Sequence, residues 1–275
     1  MSLAVSNQQF PIHCPGLILN MIFNYSNFNL IITTWTLLSF LVFVVLNFVK
    51  APYGKHDQEG WGIRIPARLG WIAMEMPSWI LMTIFALLSL KNGLRTVSLI
   101  MACFWILHYF HRSMIWPFRA KISHKKMPLS IAFLAGGFNI INTSINAEWI
   151  FFLRDPYPLS WLYSIQFVGG MVIFFTGFII NISSDNILFK LRKDGKGEYS
   201  IPNGKLFNYI SCPNYLGEIL EWLGWAIMVL SFAGFSFFVW TLANLIPRAL
   251  STHRWYNENF QDYPKDRKAL LPYLL

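Results

Sequence analysis

Long stretches without charge decide what this chain can fold into. No Asp, Glu, Lys or Arg occurs in residues 1–49, and several later stretches of similar composition hold one charge or none. About 20 apolar residues in a helix, at 1.5 Å per residue, cross the roughly 30 Å hydrocarbon core of a bilayer. Hydrophobic residues make up 55% of the 275 residues and charged residues only 13%, against about a quarter in soluble proteins. The sequence therefore predicts an integral membrane protein and excludes a soluble domain.

Seven segments have the composition of membrane-spanning helices. Residues 215–247 as one helix would be roughly 50 Å long and overshoot the bilayer, so we predict two spans with a hinge at residues 231–234. The other spans are residues 29–49, 69–90, 96–116, 127–153 and 156–184. The predicted fold is all-α, with an interfacial segment at 1–28, a seven-helix membrane domain at 29–247 and a cytoplasmic tail at 248–275 that contributes to a cofactor site.

The basic residues orient this bundle. With seven spans, all 22 Lys and Arg residues lie on one side except Lys91, Arg95 and Arg154, whereas six spans would weaken this bias. Cytoplasmic loops carry the excess of Lys and Arg, so the N-terminus is predicted outside and the C-terminus in the cytoplasm. The net charge of +9 is then loop charge facing lipid and cytoplasm, and we expect no nucleic-acid partner. A monomer is expected.

An acid and a phenol are placed at the same depth. Glu75 lies roughly 9 Å from the cytoplasmic end of the second span, and Tyr109 lies roughly 10 Å from that end of the antiparallel third span. A protonated acid or a phenol can donate to a carbonyl oxygen as negative charge develops on it. The alternatives are a Glu75 bonded to Trp or Asn and a Tyr109 that anchors at the interface.

A second polar set lies at the cytoplasmic ends of the fifth and sixth spans. Its members recur at offsets of 4 and 7 residues, as on one helix face: Asn181, Asp185 and Arg192, then Asn214, Glu218 and Glu221. The first group can equally be snorkelling helix ends, whereas two acids and an amide on one membrane helix need basic partners or a polar ligand. No G-x-G-x-x-G follows a strand, so a nucleotide would be held by side chains between helices and loops.

Metal binding is not predicted. His108 and His111 are spaced as a ligand pair, but no third ligand follows at suitable spacing, so structural histidines are favoured. The three cysteines have no metal-ligand spacing.

Several tracts, taken together and in order, resemble the steroid 5α-reductase family, and we take the chain for a bacterial-type homologue. They are residues 66–78, the run His108-Tyr109-Phe110-His111-Arg112, residues 181–185 and 201–204, the run Asn214-Tyr215-Leu216-Gly217-Glu218, and residues 253–256, 262–265 and 267–270. The resemblance covers the chain from about residue 53 to the C-terminus. Where eukaryotic relatives often carry consecutive histidines, this chain has Ser251-Thr252-His253, and its loop 115–127 is longer and more basic.

The resemblance implies a seven-helix membrane enzyme that reduces the C4–C5 double bond of a 3-oxo-Δ4 steroid with NADPH. By position, Glu75 and Tyr109 match the groups that bond the C3 carbonyl oxygen, and Trp71 would line the steroid pocket. The positions associated with the cofactor are Asn181, Asp185, Arg192, Tyr199, Asn214, Glu218, Arg248, His253 and Tyr256. The host membrane would be the inner membrane of a bacterium or the endoplasmic reticulum of a eukaryote.

Other functions remain open at this point. A membrane enoyl-thioester or polyprenol-type reductase of the same superfamily, or a methyltransferase that uses S-adenosylmethionine, would share much of this architecture. A methyl acceptor needs no oxyanion donor, however, and the acid and phenol suit an enone. A sterol or lipid transporter would also place polar residues in its spans, but it would show repeated or paired half-helices, and we find none.

Overall fold

The computed structural model describes residues 25–49, 52, 54, 58–191 and 199–274. Within these ranges seven long helices form the bundle. They are α1 (Tyr25–Phe48), α2 (Ala67–Ser89), α3 (Thr96–Phe110), α4 (Leu129–Glu148), α5 (Ile165–Leu191), α6 (Pro213–Val229) and α7 (Phe232–Asn259). Helix α3 continues through a π-helical turn, His111–Ile115, into the short helix Trp116–Arg119. Each predicted span corresponds to one of the seven helices, so the predicted helical architecture is confirmed.

Three helical stretches among the described residues have the length and hydropathy needed to cross a membrane. They are Asn27–Phe48, Ala67–Asn92 and Ile165–Leu191. Their outward side chains include many large apolar residues, such as Leu37, Phe40 and Ile179. These helices support a membrane protein, whereas the count of seven spans and the orientation of the termini stay predictions.

The fifth predicted span was placed too early in the chain. Residues 156–164 contain an extended segment and the 3₁₀ turn Leu159–Tyr163, and α5 starts only at Ile165. Pro156 and Pro158 account for the shift, since proline removes a backbone donor and disfavours helix in the preceding residue. At its other end α5 continues to Leu191 and so includes Asp185.

The predicted hinge between the last two spans is present. Helix α6 ends at Val229, and the next residue, Leu230, adopts a left-handed conformation with φ of 45°. Ser231 then caps α7, and its Oγ accepts a hydrogen bond from the Gly234 N–H at 3.0 Å. Helix α7 extends past Pro247 to Asn259, so residues 248–259 of the predicted tail are helical. The predicted interfacial segment 1–28 lies almost wholly outside the described residues.

A short β-ribbon departs from the purely helical prediction. Arg64–Pro66 pairs antiparallel with Lys126–Pro128, with Ile65 opposite Met127. Segments of three residues are too short to give a periodic sequence signal. The ribbon ties the loop before α2 to the loop before α4, and we call this side of the bundle, with residues 199–212, the loop end.

The C-terminal residues fold back across the loop end. Ser211 N donates to the Lys268 carbonyl at 2.8 Å, and Cys212 N donates to the Ala269 carbonyl at 3.1 Å. Arg267 Nη1 donates to the Pro202 carbonyl at 2.8 Å. These bonds fix the last residues over the start of α6.

Helices α5 and α6 pack with their backbones in contact. A Cβ added to Gly177 would lie 2.4 Å from the Gly217 carbonyl oxygen, and one added to Gly224 would lie 2.5 Å from the Gly170 carbonyl oxygen. Small residues allow such close approach between membrane helices. Gly170 is part of this contact, whereas a Cβ added to Gly169 would meet nothing within 4 Å.

Candidate active site

A cavity of about 1150 Å³ lies between the helices and opens toward the loop end. Nine of the predicted site residues line it, so we treat it as the candidate active site. They are Trp71, Glu75, Tyr109, Asp185, Tyr199, Asn214, Glu218, Arg248 and Tyr256. Asn181 and His253 do not line the cavity, and Arg192 lies outside the described residues.

The acid and the phenol are joined through a single amide. Tyr109 OH donates to Asn139 Oδ1 at 3.3 Å, and Asn139 Nδ2 donates to Glu75 Oε2 at 3.2 Å. The same Nδ2 also donates to the Met74 carbonyl at 2.6 Å, which anchors the amide to α2. Tyr109 is buried, and Glu75 is half-buried on the cavity wall. Helices α2, α3 and α4 therefore bring a carboxyl group and a phenol to one place.

An aromatic wall continues from this group toward the loop end. Trp71 stacks on Trp116 with ring centroids 4.4 Å apart. The Arg112 guanidinium lies 5.3 Å and 5.0 Å from the centroids of these two rings, within range of cation–π attraction. Asp185 accepts a hydrogen bond from Trp116 Nε1 at 2.6 Å and faces Arg112 Nη1 at 3.5 Å. Trp71 and Trp116 thus line the cavity beside the charged groups of Arg112 and Asp185.

The charged part lies between α3, α5, α6 and α7. Arg248 Nε donates to Tyr215 OH at 2.9 Å. Lys125 Nζ donates to Tyr199 OH at 3.2 Å and lies 4.9 Å from the centre of the same ring. Carboxyl and amide groups of Glu218 and Asn214 share this wall. Cations and hydrogen-bond acceptors are therefore mixed at the loop end.

Asn181 acts on the site through the backbone. Its Nδ2 donates to the Asn214 carbonyl at 3.0 Å, at the start of α6 and beside the Gly177–Gly217 contact. The structure therefore separates Asn181 from Asp185, which lies one turn further along α5 and lines the cavity. Asn181 fixes the position of α6.

His253 lies behind the cavity wall. Its Nδ1 is 2.6 Å from Ser211 Oγ, and Ser211 in turn lies 2.7 Å from Tyr263 OH. Burial, with a smaller contribution from Lys268, lowers the pKa of His253 below its ordinary value, so the ring is neutral at pH 7. Ser211 lines the cavity, and its contact with His253 connects the ring to the cavity wall.

The part of the cavity farthest from the loop end is apolar. Trp35, Phe138 and Trp240 form its wall, with the Trp35 and Phe138 rings stacked at 5.6 Å. Nearer the loop end, Phe133 and Leu134 of α4 also line the cavity and are 71% and 69% exposed at the side of the bundle. A hydrophobic molecule can therefore reach the cavity from the side of the bundle.

The two histidines flanking Tyr109 have separate environments. His108 Nδ1 lies 2.6 Å from Glu221 Oε2, and the His111 ring packs edge-on against Phe178. Among the described residues no group of three or more His, Cys, Asp or Glu side chains is arranged to hold a metal ion.

Comparisons with known proteins identify the family. A family model described as 3-oxo-5-alpha-steroid 4-dehydrogenase matches residues 125–275, more than half of the chain. Steroid 5-alpha-reductase DET2 of Gossypium hirsutum is 40% identical over 252 residues, which cover 90% of this chain and 97% of that protein. The Arabidopsis thaliana protein of the same name is 43% identical over 238 residues, or 84% and 90% of the two chains. 3-Oxo-5-alpha-steroid 4-dehydrogenase 1 of Bos taurus is 36% identical over 241 residues, or 86% and 93%.

The chain belongs to the steroid 5α-reductase family. The resemblance found in the sequence is thereby confirmed, and the protein is an oxidoreductase. Neither a methyltransferase nor a transporter is an oxidoreductase, so these two alternatives do not fit this chain. The names of the relatives place this steroid 5α-reductase family member in steroid metabolism.

Asn139 is a site residue of this steroid 5α-reductase family member that the sequence reasoning missed. A signal was present, because α4 carries Asn139, Asn142, Thr143 and Asn146 at offsets of 3, 4 and 7 residues. Polar residues at helical spacing within a predicted span mark a face that is turned away from lipid. Arg112 and Ser211 also line the cavity without having been predicted as site residues.

Proposed function

We propose that this protein reduces the C4–C5 double bond of 3-oxo-Δ4 steroids with NADPH, giving 5α-reduced 3-oxo steroids. The observation that carries the proposal is the Asn139 amide that joins Glu75 and Tyr109 on the wall of an aromatic cavity. The names of the relatives, which are steroid 5α-reductases and 3-oxo-5α-steroid 4-dehydrogenases, support the substrate class.

The donor pair fits the charge that develops in such a reduction. Hydride addition at the β-carbon of an enone makes an enolate, whose oxygen bears the new negative charge. Tyr109 OH and a protonated Glu75 would both donate to that oxygen, the former C3 ketone. Donors held in place in a dry site stabilise developing charge at no reorganisation cost. Asn139 holds the two donors together before the substrate arrives.

Charge at the loop end fits a dinucleotide phosphate. Arg112, Lys125, Lys126 and Arg248 line this part of the cavity, and Arg and Lys are the side chains that bind phosphate. Asn214, Glu218 and Asp185 add the acceptors that ribose hydroxyls and an amide require. When bound there, NADPH would supply the hydride. Tyr199 and Tyr256 would close the outer side, and Arg192, which lies outside the described residues, stays a predicted cofactor contact.

The apolar end suits a sterol-like ring system. Trp71 lines the cavity and would pack against the substrate. Phe133 and Leu134 are exposed at the side of the bundle, so the steroid would come from the bilayer core, while the cofactor would come through the loop end. In this proposal the protein is a multi-pass monomer with its loop end in the cytoplasm.

Purified protein with NADPH and a substrate panel tests the proposed reaction. We expect 3-oxo-Δ4 steroids to be reduced at least 10-fold faster, as kcat/KM, than enoyl thioesters or polyprenals, measured by NADPH absorbance. Product analysis should show hydrogen added at C4 and C5 with 5α geometry. Faster reduction of a thioester or a polyprenal would contradict the steroid assignment, since both are also conjugated substrates for a hydride donor.

Asn214→Ala tests the cofactor end of the cavity. Loss of one hydrogen bond of about 1–1.5 kcal/mol should raise the KM for NADPH about 5- to 10-fold, with the steroid KM changed less than 2-fold. Asn259→Ala is the control, because Asn259 is exposed at the end of α7 and bonds only the Trp255 carbonyl. Equal changes in both KM values would count against a cofactor role for Asn214.

A further inference from the structure

A buried acid–imidazole pair lies next to the carbonyl donors and has no part in the mechanism above. His108 Nδ1 and Glu221 Oε2 are 2.6 Å apart, and both side chains are almost fully buried, at 3% and 0% exposure. The pair joins α3 to α6 within the bundle. The His108 ring packs edge-on against Tyr109 at 5.0 Å and against Trp222 at 4.6 Å. The pair is therefore held by neighbours that also hold Tyr109.

The pair holds a proton that can leave. A nitrogen and a carboxyl oxygen at 2.6 Å share a hydrogen. No described residue bonds the other carboxyl oxygen, Glu221 Oε1, so a net neutral pair is favoured over a bare buried carboxylate. His108 is part of the cavity wall. None of the described residues bonds its Nε2, which leaves this nitrogen for a group inside the cavity.

The proposed reduction needs a proton as well as a hydride. Glu75 and Tyr109 donate to the ketone oxygen. The new C–H bond, however, forms at C4, two bonds away from that oxygen, so a further group must donate a proton to this carbon. An interior position beside Tyr109 is suitable for such a donor. We propose that His108 delivers this proton from Nε2 and that Glu221 holds the ring and recharges it, an inference that rests on the proposed function.

The step balances in atoms and charge. The His108 Nε2–H bond breaks and a C4–H bond forms, while the enolate electron pair becomes that C–H bond and the C3 ketone is restored. If the shared proton begins on Glu221, it moves to Nδ1; if it begins on Nδ1, it stays there. In both cases the pair is left with one negative charge, near the Arg112 guanidinium. A proton from cavity water then restores the neutral pair.

Glu221→Gln separates a proton relay from a packing role. The amide has nearly the same shape and can still bond His108, but it cannot carry the proton. We expect kcat for a 3-oxo-Δ4 steroid to fall at least 10-fold with both KM values within 2-fold. The solvent deuterium isotope effect on kcat should rise, and the isotope effect of deuterated NADPH should fall, because proton transfer becomes slower than hydride transfer.

A relay and a packing role predict opposite orders of activity for Glu221→Asp and Glu221→Gln. A relay predicts that the shorter acid is more active than Gln, whereas a packing role predicts that the near-isosteric Gln is more active than Asp. His108→Gln carries the same expectation as Glu221→Gln, so a folding defect in one variant leaves the other to decide. Glu148→Gln, the same change at a carboxyl outside the cavity lining, should match the wild type.

The outcomes distinguish this inference from the function it rests on. Wild-type kcat and unchanged isotope effects in folded Glu221→Gln or His108→Gln, with an active wild type, would overturn the relay alone. A wild-type protein that reduces no 3-oxo-Δ4 steroid would overturn the proposed function, whatever the variants do.

Discussion

Tyr109→Phe is expected to lower kcat by about 100- to 1,000-fold, the usual effect of removing one preorganised donor from an oxyanion site. Substrate should still bind with little change in KM, because the phenol acts most strongly on the charge of the transition state. Glu75→Gln should lower kcat at least 10-fold but less than Tyr109→Phe does, since an amide N–H can replace the acid as a weaker donor. NADPH oxidation under saturating steroid measures both variants.

The double variant tests whether the two groups act as one unit. Because Asn139 bonds both side chains, the loss in the double variant should be smaller than the product of the single losses. Tyr157→Phe provides the matched control: Tyr157 OH donates to the Val229 carbonyl at 2.6 Å, outside the cavity lining. That variant should lose stability and keep its kcat. A folded Tyr109→Phe within 3-fold of the wild type would remove the carbonyl-donor assignment.

The position of a residue along its helix could be read from the sequence, whereas lateral contacts between helices could not. The rise per residue in a helix placed Glu75 and Tyr109 at one level of antiparallel spans, and the structure brings both to one cavity. The two side chains are connected through hydrogen bonds to Asn139, which reaches them from a third helix. Only the packing of α2, α3 and α4 decides which amide on α4 meets them.

Helical periodicity gave the direction of a side chain but not its partner. Asn214, Glu218 and Glu221 were placed on one face of a single helix, and the first two do line the cavity. Glu221 lies roughly 10 Å further along the axis than Asn214, and there it meets His108. The pattern alone left both basic partners and a polar ligand open.

The glycine contacts between α5 and α6 are expected to stabilise the protein, so Gly177→Ala should lower its thermal midpoint. The added methyl carbon would lie 2.4 Å from the Gly217 carbonyl oxygen and 2.5 Å from the Glu221 backbone nitrogen. The helices must then separate, and overpacking of this kind costs about 1–3 kcal/mol or more. At about 2–4 °C per kcal/mol, the thermal midpoint in detergent should fall by several degrees. Thermal unfolding followed by intrinsic tryptophan fluorescence measures this.

The same substitution should also weaken cofactor binding, since Gly177 lies one turn before Asn181, whose side chain holds the Asn214 carbonyl. Displacement of α6 would move Asn214 and Glu218 together and raise the KM for NADPH. Gly169→Ala is the control on the same helix, because a Cβ there meets nothing within 4 Å. Alanine is the better helix former by about 0.5–1 kcal/mol, so this variant should be as stable as the wild type or more stable. If the two variants have the same thermal midpoint and the same KM for NADPH, close backbone contact between α5 and α6 is not what sets the positions of Asn214 and Glu218.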